Sequence, residues 1–338
     1  MDRGQGDKDM NITASIVARL SSSRLPKKQL KKIGNKRLID WTIENVKKSR
    51  YVDKIVIATT DDEENRPFVD VAKELGVDIF LYDGDINDVV GRLTQAAVEF
   101  DADIPILISG DCPLIWAESM DKLIEKILED SELDAVDFCF KNGKFVIHEG
   151  MSVYRKKCWL LADELSDKPN LREHQFPIIG LKPELFKTDC IHDDDLFYRI
   201  KHRVSVDTLA DLEFMRAVYQ KLVGMKKEFD MPDVVELLLK KPQLMQINKD
   251  VHQIKINEKQ KKALFVVKGL ENLELFFDFA YELTKKGVGV RFLVENDESK
   301  DIVENKGFNV ADGDTKREKF NFVIEENRIG SYGFFDRF

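Results

Sequence analysis

Short apolar, β-branched runs alternate with segments of helical period through the first 220 residues of the chain. The runs 12–18, 54–59, 78–82, 104–109 and 134–140 have the length and composition of strands. Between them, Ile39, Ile43 and Val46 share one helical face, as do Val89, Leu93, Ala96 and Ala97. Strands alternating with helices predict an α/β fold with a mixed, mostly parallel sheet covered on both faces. Ligands of such sheets gather beyond the carboxyl ends of the strands. That rule places Arg19–Lys28, Thr59–Asp62 and Gly110–Leu114 along one rim.

The pattern then loosens. Residues 141–205 predict only a short strand near 151–154 and a helix over 156–165, with a further short strand at 203–206. Helices follow at 209–222 and 232–240, and the lysine-rich stretch 241–262 reads as a linker. A new β/α unit begins at 263, with strands at 263–268, 289–295 and 320–324 around a helix at 271–286. The organisation expected is a disordered tail 1–10, a first domain 11–240, the linker, and a small β/α domain 263–338. That last piece has about half the usual size of a domain.

Composition narrows the class. With 43% apolar and 34% charged residues in 338, the chain reads as globular rather than disordered. No run approaches a membrane span, and the polar start lacks the apolar stretch of a secretory signal. The four cysteines (112, 139, 158, 190) form no C-x-x-C pair, so the expectation is reduced thiols in a cytoplasmic protein. A net charge of -9 argues against a nucleic-acid partner.

Against that acidic background, Asn11 to Ile39 holds eight Lys or Arg residues and no acid. Ser21, Ser22 and Ser23 sit among these cations, directly after a strand. Hydroxyls, cations and exposed backbone N–H groups at a strand end suit a polyphosphate. Arg19, Arg24 and Lys28 are the candidate phosphate ligands; a solvated surface suffices to explain Lys31, Lys32, Lys36 and Arg37. Gly110-Asp111, after the strand 104–109, suits a hard cation such as Mg²⁺, although an Asp-Cys-Pro turn is the plainer reading. Asp207 offers a second carboxylate, with a helix N-cap as its alternative. Arg92 is read at the start of the exposed side of a helix, either as a phosphate or substrate contact or as a surface arginine. Arg172 and His174 are weaker substrate candidates.

Assembled in order, these residues resemble a known family. The blocks are Ala18-Arg19-x-x-Ser22-x-Arg24-Leu-Pro-x-Lys28, Ala58-Thr-Thr60-Asp61, Asp88-Val-x-Gly-Arg92, Gly110-Asp-Cys-Pro-Leu-Ile115, Arg172-Glu-His174 and Val206-Asp-Thr-x-x-Asp-Leu-Glu213. Residues 11–222 are similar to the cytidylyltransferases that activate acidic sugars, above all the spore-coat-polysaccharide branch, with the acylneuraminate and CMP-Kdo synthetases as relatives. The resemblance implies a Rossmann-like nucleotide-diphospho-sugar transferase fold and a homodimer. It implies that CTP is bound by Arg19, Ser22, Arg24, Lys28, Thr60, Asp61 and Gly110, with Arg19, Lys28 and Asp111 catalytic. Arg92, Arg172 and His174 would then meet the sugar, and Asp111 and Asp207 would hold Mg²⁺. The implied reaction transfers CMP from CTP to an acidic, nonulosonic-type sugar.

Three positions depart from the family: Lys27 and Ser21 stand where glycine or a small residue is usual, and Ser152 where the branch carries an acid. The segment after 263 resembles, loosely, the first half of a nucleotide-sugar hydrolase or glycosyltransferase N-terminal domain, and no activity of its own is expected. Two rival readings remain. One is a nucleotide-sugar-dependent glycosyltransferase with Asp83-Gly-Asp85 or Asp193-Asp-Asp195 as metal ligands. The other is a nucleotide-binding protein without turnover.

Overall fold

Along β1 (Ile12–Val17), successive side chains leave on opposite faces, and both faces are buried. A hairpin of two short strands, β2 (Lys32–Ile33) and β3 (Lys36–Arg37), leads into α1 (Leu38–Val46). There follow β4 (Lys54–Thr60), α2 (Pro67–Leu75), β5 (Asp78–Tyr82), α3 (Val89–Glu99), β6 (Ile104–Ser109) and α4 (Ala117–Glu129). Then come β7 (Ala135–Phe138), β8 (Met151–Tyr154), α5 (Lys156–Leu165), the short α6 (Pro169–Arg172) and α7 (Pro177–Leu181), and β9 (Thr188–Ile191). Two helices, α8 (Leu209–Val223) and α9 (Met231–Lys240), close this part. The structure is a computed structural model describing residues 10–224, 229–254, 258–270, 273–312, 315 and 319–325. The expected tail, apart from Met10, lies outside the described residues.

Seven strands form one sheet in the order β5-β4-β1-β6-β8-β7-β9, parallel except for β8. This is the mixed, mostly parallel sheet that the alternation predicts. Ile55, Ile57, Ile104, Ile106 and Ile108 join one core with α1, α4, α8 and α9. Val56, Ala58 and Leu107 face the other way, onto α3 and α5. Burying each such side chain is worth about 1.5–3 kcal/mol. The stretch 203–206, expected as a strand, joins no sheet among the described residues; Val206 N–H donates instead to the Asp111 carbonyl at 2.9 Å.

Sequence spacing gave no hint of the cysteine arrangement. Cys139 and Cys190 form a disulfide, with Cα atoms 5.1 Å apart across 51 residues of sequence. Parallel pairing of β7 with β9 brings them together, which corrects the expectation of four reduced thiols. Cys112 and Cys158 are free and buried.

The loop after β1 is pinned at both ends by fully buried leucines, Leu20 and Leu25. The Leu20 carbonyl accepts N–H bonds from Ser22 (2.8 Å) and Lys27 (3.0 Å), which closes the turn. To do so Lys27 takes a left-handed conformation, φ 51° and ψ 33°. The departure at Lys27 is therefore a lysine held in glycine's geometry.

The C-terminal unit is a second sheet, built from β10 (Lys262–Val267), α10 (Leu273–Lys285), β11 (Gly289–Val294), α11 (Asp297–Asn305), β12 (Asn309–Val310) and β13 (Phe322–Glu325). Its strands are all parallel, in the order β12-β11-β10-β13. Phe265, Phe276, Phe277, Phe292 and Phe308 fill its core. Part of the stretch read as a linker is structured: Pro242–Ile247 forms a short helix with Leu244 buried. Buried Asn248 donates to Asp211 at 3.0 Å and bonds His202 at 2.8 Å, so this segment packs on the first sheet's helices. Among the described residues no helix is long and apolar enough to cross a membrane.

Relieving the left-handed strain at Lys27 with Lys27→Gly should stabilise the protein by about 1 kcal/mol, read as a higher melting temperature. Replacing Cys139 and Cys190 by serine should cost about 2–4 kcal/mol. Peptide mapping without reduction should recover the two cysteines as one linked pair.

Candidate active site

The carboxyl ends of β4, β1 and β6 lie side by side, as the sequence rule requires. Gly110 makes their close approach feasible. A Cβ there would sit 2.7 Å from the Val17 carbonyl oxygen, while the Gly110 N–H bonds that same oxygen at 3.0 Å. Asp111 thereby emerges directly beside the loop of Arg19 to Lys28.

Lys28 is the centre of this rim. Its ammonium, buried, donates to Asp111 at 2.6 Å and to Asp207 at 2.8 Å. Asp207 also pairs with Arg24 at 3.2 Å and Arg203 at 2.8 Å. Burial alone would raise the Asp207 carboxyl, but Lys28, Arg24 and Arg203 together hold it far below the usual carboxylate range. Burial would likewise pull the Lys28 ammonium down; Asp111 and Asp207 reverse that and raise it. The Asp207 N-cap alternative does not apply, because Thr208 caps α8 in a capping box with Asp211. Asp211 accepts from Arg203, from Thr208 N–H at 2.8 Å and from Asp207 N–H at 3.1 Å, so it shapes the segment that presents Asp207.

The two carboxylates converge on one cation-sized point, held here by an ammonium. Two carboxylates are a donor set magnesium takes, with phosphate oxygens and water completing its shell. The residues fit that ion once Lys28 yields the position. Among the described residues, no three His, Cys, Asp or Glu side chains group as a metal site. In particular, Asp193 is already committed to Lys122 (2.7 Å) and His148 (2.7 Å), and Asp83 and Asp85 are exposed.

Arg92 differs from its reading as the start of an exposed face. It is 1% exposed, and its Nε and Nη1 have no hydrogen-bond partner. Helix α3 is buried against the sheet on one side and against α5 on another, so a single-face pattern misjudged it. Burial, with Arg19 adding repulsion, pushes the Arg92 guanidinium down to about 10. Among the described residues Arg19 donates only to Asn87 Oδ1, at 3.2 Å. Among the described residues neither arginine has an ion pair, so together they leave positive charge that an anion would satisfy.

The remaining candidates divide. Ser22 is half-buried in the loop, its hydroxyl accepting from Leu25 N–H at 3.3 Å. Thr60 is buried and bonds Asp62 (2.5 Å) and Asn65 (2.9 Å); Asn65 in turn accepts the Leu20 N–H at 2.8 Å. Thr60 thus supports the loop from beneath. Asp61 is exposed and pairs with Arg66 at 3.0 Å. Arg172 is committed to Asp88 through two bonds of 2.9 Å and to Asp163 at 2.7 Å. It ties α6 to the start of α3, and the structure does not bring it to the cation cluster. His174 is half-buried, and among the described residues its side chain has no hydrogen-bond partner.

Among β6, β7 and β8 lies a cavity of about 110 Å³ whose polar lining includes Asp137, His148, Glu149, Ser152 and Gln175, with Glu149 near enough to feel the Asp111 charge. Antiparallel pairing of β7 and β8 sets Asp137 opposite Ser152, and the Ser152 hydroxyl donates to Asp137 at 3.2 Å. A carboxylate therefore reaches the cavity from the neighbouring strand, although position 152 has none. Asp137 opens into the cavity, and the surrounding protein raises its carboxyl above the usual range. Burial raises Glu149 too, partly offset by the Ser205 hydroxyl at 2.6 Å and by Arg203. Asp137, Glu149, Arg203 and Asn65 escaped the sequence reading. The spacing Thr208-x-x-Asp211, a capping-box pattern, is the sequence signal that could have pointed to Asp211 and its partner Arg203.

A family profile described as cytidylyltransferase matches residues 13–265. An uncharacterized protein of Methanocaldococcus jannaschii is 31% identical over 255 residues, 72% of this chain and 97% of that protein. A 3-deoxy-manno-octulosonate cytidylyltransferase of Bdellovibrio bacteriovorus is 30% identical over 125 residues, 37% of this chain and 49% of that enzyme. The solved structure of a cytidylyltransferase from Leptospira borgpetersenii superposes with a TM-score of 0.63 at 26% identity, covering 70% of this chain and 97% of that one. The profile spans the whole rim just described, from the loop after β1 to Asp207, and the chain belongs to the cytidylyltransferase family.

Proposed function

We propose that this nucleotidyltransferase uses Mg²⁺ and CTP to activate an acidic, nonulosonic-type sugar for surface polysaccharide, acting in the cytoplasm as a homodimer. The observation that carries the reading is the single rim on which Lys28, Arg24 and Arg203 meet Asp111 and Asp207. The half-length match to an octulosonate cytidylyltransferase and the motif resemblance to the spore-coat branch favour an acidic sugar.

In this reading the triphosphate enters over the loop of residues 19–28. Arg24 and Lys28 turn from Asp207 toward phosphate oxygens, and Arg19 with Arg92 meets the anionic charge that they lack now. Asp111 and Asp207 would hold Mg²⁺, which supplies Lewis-acid stabilisation of phosphate charge when bound. A sugar hydroxyl, placed by the cavity lined by Asp137 and Glu149, attacks the α-phosphorus. The new phosphate ester forms as the bond to pyrophosphate breaks, and the hydroxyl proton leaves to a base or solvent. Positioning in line and fixed positive charge around the leaving pyrophosphate lower the barrier. The cavity contributes Asp137, Ser152 and Gln175 as hydrogen-bond partners for sugar hydroxyls.

Incubation with CTP, Mg²⁺ and a panel of acidic sugars should release pyrophosphate. No release with any sugar, together with no CTP binding by calorimetry, would sink the assignment. Asp111→Asn should lower kcat on the order of 10²–10³-fold and weaken Mn²⁺ binding followed by electron paramagnetic resonance. Asp137→Asn should raise KM for the sugar about tenfold, leaving KM for CTP within about twofold. Equal changes in both constants would remove Asp137 from sugar recognition.

A further inference from the structure

The stretch Ser22-Ser23-Arg24 lies at the middle of the loop, between its leucine anchors. Its hydrogen bonds run to the far end of the chain. The Ser23 carbonyl accepts from Val290 N–H at 3.2 Å, and the Ser23 hydroxyl donates to Gln260 Oε1 at 2.8 Å. The Ser22 carbonyl accepts from Asn309 Nδ2 at 3.1 Å. Arg24 Nη1 donates to the His252 carbonyl at 3.3 Å. Gly289 makes room for this contact: a Cβ there would stand 3.0 Å from Ser23 Cβ. Among the described residues, no partner from the first sheet's unit reaches the Ser22 or Ser23 carbonyl.

We propose that the C-terminal β/α unit is a positioning element for the nucleotide loop, holding Ser22, Ser23 and Arg24 in the conformation that receives the triphosphate. This rests on the reading of residues 19–28 as the CTP site. The unit presents the amino ends of β11 and β12 to the loop, which leaves its opposite edge facing away. Its effect reaches the chemistry through His252 in the preceding segment, whose N–H bonds the Lys285 carbonyl of α10 at 2.6 Å and whose own carbonyl holds Arg24, the guanidinium that also pairs with Asp207 (3.2 Å). Leu20 and Leu25 fix where the loop starts and ends; the C-terminal unit fixes the carbonyls between them. A separate tether, Tyr281 OH to Glu213 at 2.8 Å, joins α10 to α8 away from the loop. It allows a loop contact to be removed while the unit stays docked.

The test uses the full-length protein. Asn309→Ala deletes the bond to the Ser22 carbonyl, and Gly289→Ala drives a methyl group against Ser23. Both should speed amide hydrogen exchange in residues 21–25 and raise KM for CTP about three- to tenfold. In both, kcat should stay within about twofold and the melting temperature should be unchanged. Tyr281→Phe, the docking control, should leave exchange in 21–25 as in the wild type. Unchanged exchange and unchanged KM in both loop variants would overturn the proposal, as would a kcat loss without a KM change. Should the protein neither bind nor turn over CTP, the exchange rates still report whether the unit holds the loop, so the two readings fail separately.

Discussion

The Lys28 ammonium between Asp111 and Asp207 is the interaction around which the first unit is arranged. Two carboxylates brought this close would repel, and at an effective dielectric near 20 unit charges about 4 Å apart interact by about 4 kcal/mol. The ammonium converts that repulsion into attraction on both sides. Each partner arrives from a different part of the chain: Lys28 from the loop after β1, Asp111 from the end of β6, and Asp207 from the segment before α8. Their meeting therefore requires the β1–β6 pairing, the Gly110 approach and the Val206 to Asp111 backbone bond to be in place together.

The same charge logic separates the arginines. Arg203 is fixed between Asp207 and Asp211 and belongs to the scaffold. Arg172 is fixed by Asp88 and Asp163, with Gly91 leaving the space its guanidinium needs. Arg24 is divided between Asp207 and a backbone carbonyl, whereas among the described residues Arg19 and Arg92 have no carboxylate paired to them. A buried guanidinium with two unpartnered nitrogens costs free energy unless an anion arrives. Residues of one type, within one rim, thus differ in how much of their charge remains for a ligand.

Much of this was legible in the sequence. The apolar, β-branched runs at 12–18, 54–59 and 104–109 marked the strands Ile12–Val17, Lys54–Thr60 and Ile104–Ser109, and the strand-end rule put the loop and Asp111 on one rim. What escaped shares a physical cause, which is pairing between segments distant in sequence. The Cys139–Cys190 bond depends on β7 meeting β9, and the Asp137 carboxylate reaches the cavity because β7 and β8 run antiparallel in a register that no local pattern encodes. Arg92 was misplaced for a related reason. A helix covered on two sides has no single apolar face, so its periodicity cannot say which polar residue is buried.

Lys27 joins these strands of argument. A lysine at φ 51° persists only where the surroundings over-determine the backbone. From within, the loop is held by Leu20, Leu25 and the Lys27 N–H bond to the Leu20 carbonyl. From outside, Val290 and Asn309 hold the carbonyls of Ser23 and Ser22. A loop held from two sides can keep a strained turn that glycine would otherwise have to supply. On this view the appended unit and the lysine at position 27 belong together: an external hold on the loop lets its sequence drift from glycine while Arg24 and Lys28 stay aimed at the carboxylate pair.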